Sequence, residues 1–244
     1  MNKSSATGDN IELARFNRLA HTWWDSDGPM WPLHLLNGFR IDAVVEVLRA
    51  EGVCREGDQP LAGLKVLDIG CGGGILSESL CNLGAQVTAI DLAEQSIKIA
   101  SQHALQGQLQ IDYRVAEIAQ VNEQFDIVFN LEVVEHVQNP TLFMELCAQR
   151  VKPGGYLFVA TINKTIMSFI VAIVGAEYIL RLLPKGTHQW NKFVDPKHLQ
   201  QILLKHQLPT FWQTGVGLNP FTRRFYVQKS LAVNYMLAAK KQDG

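Results

Sequence analysis

The apolar positions of the first fifty residues recur at helical spacing. Ile11 to Trp24 carries Leu13, Phe16, Leu19, Ala20 and Trp23 on one face, and Leu35 to Ala50 repeats the pattern. Between them, Asp25 to Pro32 reads as a break at Gly28, Pro29 and Pro32, while residues 1–9 read as a polar tail. From Lys65 the period changes. Short apolar runs suited to buried strands, at 65–69, 86–90, 110–114, 125–129 and 155–161, alternate with helical patterns at 75–83, 93–106, 140–150 and 196–205. Two further strand patterns, 210–214 and 232–238, come late, and Lys152-Pro153-Gly154-Gly155 reads as a turn into the fifth strand. Such alternation predicts an α/β fold, Rossmann-like and doubly wound around a mainly parallel sheet.

One stretch fits neither pattern. Ile166 to Leu183 is apolar almost all round and is stopped by Pro184-Lys185-Gly186-Thr187-His188. Glu177, Arg181 and Gly175 make it a poor bilayer span. It reads either as a buried helix or as a segment in the membrane interface, with Arg181, Lys185 and Lys192 near lipid headgroups. The organisation expected is one domain over 1–244, with a helical cap at 11–50 and an apolar insertion at 163–193.

Composition narrows the field. A hydrophobic share of 47% supports a sizeable core, and a net charge of −1 provides no global basic field for nucleic acid. The four cysteines, at 54, 71, 81 and 147, have no metal-ligand spacing and read as reduced thiols. No secretion signal is visible at the N-terminus, so a cytoplasmic location is expected, with peripheral contact at the inner face of the membrane if 166–183 meets lipid.

The chemistry concentrates after two strands. Val66-Leu67-Asp68-Ile69 breaks into Gly70-Cys71-Gly72-Gly73-Gly74, a turn on which a ligand can lie against main-chain atoms. Asp91 ends the next strand, where a carboxylate can accept both hydroxyls of a ribose. Ile75 stands where a nicotinamide fingerprint needs its third glycine, which disfavours a dehydrogenase. Asp68, just before the turn, suits a cationic ligand or an amino group, and S-adenosyl-L-methionine carries both. Arg40 can grip that ligand's carboxylate. Glu117, after the third strand, reads as either a border of the adenine site or a solvated loop carboxylate.

Leu131-Glu132-Val133-Val134-Glu135-His136 follows the fourth strand. Glu132 and Glu135 share a face if this segment is helical. Two carboxylates and an imidazole can hold a divalent ion such as Mg2+. Alternatively His136 acts as a general base, with Glu135 beside it in the catalytic pocket.

The glycine loop resembles the first motif of the class I S-adenosylmethionine-dependent methyltransferases. The flanking motifs are more specific. Trp23-Trp24-Asp25, Pro32-Leu33-His34 with Asn37 and Arg40, Glu132-Val133-Val134-Glu135-His136, Gly175-Ala176-Glu177-Tyr178-Ile179-Leu180, Pro184 to His188, Asn219-Pro220 and Val233-Asn234-Tyr235-Met236-Leu237 resemble the ubiquinone-biosynthesis O-methyltransferase family from about residue 11 onward. The resemblance implies a seven-stranded sheet finished by an antiparallel hairpin. It also implies contacts of Arg40, Gly70, Asp91 and Leu131 with S-adenosyl-L-methionine, beside Gly72 of the same cofactor loop, and Glu132, Glu135 and His136 at the magnesium positions of eukaryotic relatives. The expected substrates are polyprenylated phenols and quinols, methylated on ring hydroxyls, and other proteins of the pathway are expected partners. The rival readings are a non-catalytic subunit that binds lipid intermediates and a C-methyltransferase of the same pathway.

Overall fold

The computed structural model describes residues 10–25, 28, 30–163, 194–219, 222 and 224–243. The apolar run 166–183 and every expectation about it lie outside these residues.

Helices α1 (Asn10–Leu19) and α2 (Trp31–Ala50), joined by a 3-10 turn at Ala20–Thr22, precede the sheet. The expected break at Pro32 is instead the first turn of α2. Proline has no N–H to lose there and its fixed φ suits the start of a helix, so it opens α2 rather than stopping it.

The alternating core then runs β1 (Lys65–Ile69), α3 (Ile75–Asn82), β2 (Gln86–Asp91), α4 (Glu94–Gln106), β3 (Asp112–Val115), β4 (Phe125–Leu131), α5 (Pro140–Gln149) and β5 (Val151–Ile162). α6 (Pro196–Lys205), β6 (Thr210–Asn219), β7 (Arg224–Gln228) and β8 (Asn234–Lys240) follow the insertion. Proline sits in the first turn of α5 and α6 too, and the preceding Asn139 and Asp195 accept from Leu142 N–H and Lys197 N–H as caps.

The described strands form one sheet in the order β3-β2-β1-β4-β5-β8-β6-β7. β1 to β5 pair in parallel, and β8, β6 and β7 add antiparallel pairs. The seven expected strands are present, and β7 is an eighth at the edge. The turn expected at Lys152–Gly155 lies inside β5 as an irregularity, where the pairing with β4 shifts between Phe125 and Ile127.

Two apolar layers cover the sheet. Leu67, Ile69, Val128, Leu157 and Val159 pack against α5 and α6, while Val66, Val87, Ile127, Phe129 and Phe158 pack against the side of α2 and α3. β8 is buried on both faces, with Tyr235, Leu237 and Ala239 in the first layer and Met236 and Ala238 in the second. That explains its nearly continuous apolar sequence. Strand order reverses between β1 and β4, so the ligand rim lies at the carboxyl ends of those strands.

Candidate active site

The turn after β1 is held from both sides by protein. Gly70 has φ +70°, and a Cβ there would strike the Val133 side chain. Trp23 covers the next two glycines: a Cβ on Gly72 would lie 2.6 Å from its ring, and one on Gly73 would overlap its Cβ and Cγ. The glycines are therefore needed for close packing by a tryptophan as well as for turning. The Trp23 indole donates to Ser96 Oγ at 3.1 Å, and the Trp24 indole donates to the Gly73 carbonyl at 2.9 Å. Trp24 stacks on His103 of α4, with centroids 3.5 Å apart, and His103 Nδ1 lies 2.8 Å from Glu78 Oε1. His34 Nε2 donates to the Trp23 carbonyl, and Asn37 donates to Ser79 Oγ in α3. The motif between Trp23 and Arg40 is thus a clasp on the glycine loop and on α3.

Asp91 sits at the tip of β2. Its carboxylate accepts from Gly72 N–H at 2.9 Å and from Ala93 N–H at 2.7 Å. Burial raises its pKa, and these backbone donors, with Leu92 N–H, pull it back in part. Asp68 lies deeper, with Ser77 Oγ donating to Oδ2 at 2.6 Å. Burial and then the Asp91 charge push it up to about 7 against that hydrogen bond. Ser77, which sequence reasoning missed, is the residue that satisfies this acid. Glu117, beyond the end of β3, forms a reciprocal cap with Gln120 on the 3-10 turn Ile118–Gln120.

The segment after β4 departs from expectation. Glu132 has φ +59° and lies outside any helix, and only Val134–His136 forms a 3-10 turn. The two carboxylates nevertheless meet, because the left-handed residue folds the chain back on itself. The buried Arg40 of α2 forms an ion pair with Oε1 of the half-buried Glu132, and Asn234 Nδ2 donates to the same oxygen at 3.3 Å. Burial pushes the Glu132 carboxyl up, but the Arg40 charge and hydrogen bonds from Glu135, Arg40 and Asn234 carry it below the usual range. Glu135 goes the other way. Burial, then the Glu132 charge, push it up to about 8, although His136 and a 2.8 Å hydrogen bond from Thr161 Oγ1 favour its ionised form. One carboxylate is anionic and its neighbour is a carboxylic acid that donates to it.

This arrangement does not support the expected magnesium set. Glu132 is already paired with Arg40, burial and the Glu132 charge favour the neutral form of Glu135, and among the described residues no three acids, histidines or cysteines cluster as a cation would need. A divalent ion does not fit the donor set present.

S-adenosylmethionine does fit. Arg40 spends one guanidinium nitrogen on Glu132, while its buried Nε–H has no partner among the described residues. A carboxylate is the group that would satisfy it. Leu131, at the end of β4, and Gly70, at the end of β1, are neighbours across the switch point. Sequence reasoning also missed Thr161. Its one signal is a hydroxyl in an otherwise apolar strand end.

A doubly wound sheet with a glycine turn after β1 and an acid at the tip of β2 defines the class I methyltransferase fold. The family model described as "Methyltransferase domain" matches residues 67–159. Solved structures agree at the level of fold. Magnesium protoporphyrin IX methyltransferase from Synechocystis PCC 6803 with bound SAH superposes with a TM-score of 0.64 at 19% identity, over 94% of each chain. A SAM-dependent methyltransferase from Aquifex aeolicus gives 0.59 at 16% identity, over 93% of this chain and 97% of that one.

The curated relatives carry the match further. The "Ubiquinone biosynthesis O-methyltransferase" of Leptothrix cholodnii is 44% identical over 239 residues, 96% of this chain and 97% of its own. That of Chelativorans sp. is 45% identical over 239 residues, covering 96% and 94%. The chain belongs to the ubiquinone biosynthesis O-methyltransferase family.

Proposed function

We propose that this protein methylates ring hydroxyls of polyprenylated catechol-type intermediates in ubiquinone synthesis, of the 2-polyprenyl-6-hydroxyphenol and 3-demethylubiquinol kinds. The observation that carries this reading is a half-buried, anionic Glu132 at the rim, fixed by Arg40 and Asn234 and flanked by Glu135 and His136. Near-full-length identity to the relatives supports it. S-adenosylmethionine supplies an electrophilic methyl on a sulfonium. Asp91 is placed to take the ribose hydroxyls, Arg40 Nε–H the carboxylate, and Gly70, Gly72, Asp68 and Leu131 to border the rest.

A phenol ionises near pH 10, so attack at neutral pH needs a proton acceptor. His136, half-buried at the end of its 3-10 turn, is the base in this reading. Glu135 is next to it in sequence and within reach of its charge, so the pair acts together in this reading. Phenolate and sulfonium cancel charge as they react, so exclusion of water by the Trp23–Trp24 clasp speeds the step. No step runs through a metal.

The 166–183 run supports a lipid-facing site for the prenyl tail, and hence peripheral attachment at the cytoplasmic membrane face near other enzymes of the pathway. Among the described residues, no helix is long and apolar enough to cross a membrane. Liposome flotation of the full chain against a 166–183 deletion reads this directly. For the reaction, mass spectrometry of a prenylated catechol incubated with the protein and S-adenosylmethionine should show one added methyl on oxygen. A methyl on ring carbon would instead place the protein in the C-methyltransferase branch. Cofactor binding without any product would favour the non-catalytic reading.

A further inference from the structure

The rim of the sheet reads in one direction. Strand order places Asp91 on β2, then Gly70 after β1, Glu132 after β4, Thr161 near the end of β5 and Asn234 at the start of β8. Neighbouring strands lie about 4.8 Å apart, so the four intervals from β2 to β8 span roughly 19 Å. With the ribose-binding acid at the β2 end, the acceptor ring belongs at the β4–β8 end. This rests on the reading given under Proposed function.

Asn234 is built into that end. It opens β8, pairs with Ile162 at the end of β5, and donates through Nδ2 to Glu132 Oε1. The amide cannot turn over without setting its oxygen against an ionised carboxylate, so the direction of the group is fixed. That leaves Asn234 Oδ1 buried and with no donor among the described residues. An unmatched buried acceptor is costly, and a ligand hydroxyl is a group that would satisfy it. A catechol-type ring carries two neighbouring oxygens, one that loses its proton and is methylated and one that keeps its own.

We infer that Asn234 is a specificity-determining residue whose Oδ1 accepts a hydrogen bond from the second, non-reacting hydroxyl of the acceptor ring. The amide thereby selects vicinal diols over single phenols. A site built to receive a hydroxyl discriminates strongly against the analogue that lacks it, because its own polar group is then left unpaired.

The test uses the full chain with two acceptors, a geranyl-substituted catechol and the matching geranyl phenol with one hydroxyl. kcat/KM is followed by mass spectrometry, and cofactor affinity by calorimetry. Asn234→Leu, which also removes a hydrogen bond from Glu132, should lower kcat/KM for the catechol by roughly tenfold more than for the single phenol, mostly through KM. Asn234→Ser, smaller and still able to accept, should move the ratio in the same direction by less. An equal loss with both acceptors, or a matching loss of cofactor affinity, would mean that Asn234 only supports Glu132 and would overturn the assignment. If the unaltered protein methylates neither acceptor, the O-methyltransferase reading fails and takes this one with it.

Discussion

At the scale of single residues, the carboxyl groups of the site are sorted by environment rather than by type. Glu132 is ionised because Arg40 faces it, and Glu135 is protonated because it is buried beside Glu132. Glu135→Gln preserves a neutral donor and acceptor of the same shape, so melting and cofactor affinity should stay near wild type. Glu135→Ala strips Thr161 and Glu132 of a partner and should cost about 1–3 kcal/mol in denaturant titrations. Turnover should fall in both variants by more than cofactor affinity does.

Asp68 makes a pH prediction. Its folded pKa, about 7, stands above the unfolded value, so the native state binds a proton that the unfolded chain releases. Its contribution to stability is complete below about pH 4 and is lost as pH rises through about 7. Asp68→Asn should flatten that decline in a series of urea titrations from pH 4 to pH 8. An unchanged slope would show that Asp68 is ionised in the fold.

At the scale of elements, the clasp between Trp23 and the glycine turn couples two segments distant in sequence. Gly73 lacks the positive φ of Gly70, Gly72 and Gly74, so Trp23 is the obstacle to a side chain there. Trp23→Ala should cost about 3–5 kcal/mol and Gly73→Ala a comparable amount. The double variant should lose somewhat less than their sum, because alanine at 23 removes the Cγ and Cδ1 that crowd the added methyl, although its own Cβ still presses on it. Strict additivity in thermal melts would refute the contact.

The glycine turn and Asp91 were legible in the sequence because their chemistry is local. Trp23 and Trp24 showed only as large aromatics, since nothing in a linear pattern says which turn they will cover. Pro32 misled as a stop signal because proline starts helices as readily as it ends them. Glu132 and Glu135 suggested a shared helical face, and they meet instead through a left-handed residue that periodicity does not register. β7 escaped notice because Tyr226 and Val227 are exposed and give it no buried face, although Phe225-Tyr226-Val227 is a strand-forming composition.

At the scale of the whole molecule, the sheet joins two halves of different construction. β1 to β5 form the parallel half around the ligand rim, and β6 to β8 form the antiparallel half. Stability should follow burial in β8 and fade toward the β7 edge. Met236→Ala, at a fully buried position, should cost about 2–5 kcal/mol by denaturant titration, whereas Tyr226→Ala should change it by less than about 1 kcal/mol. Comparable losses at the two positions would contradict the central placement of β8.

That placement bears on how the polypeptide is born. β8 follows the seven other strands in sequence, yet it fills the seam between β5 and β6. While a ribosome is still extending the chain, β5 has no neighbour on that side, and its bare edge must wait until Lys240 has emerged. For those seconds the nascent polypeptide displays an unpaired, oily ribbon, the kind of surface that trigger-type chaperones shield and that crowded translation turns into aggregates.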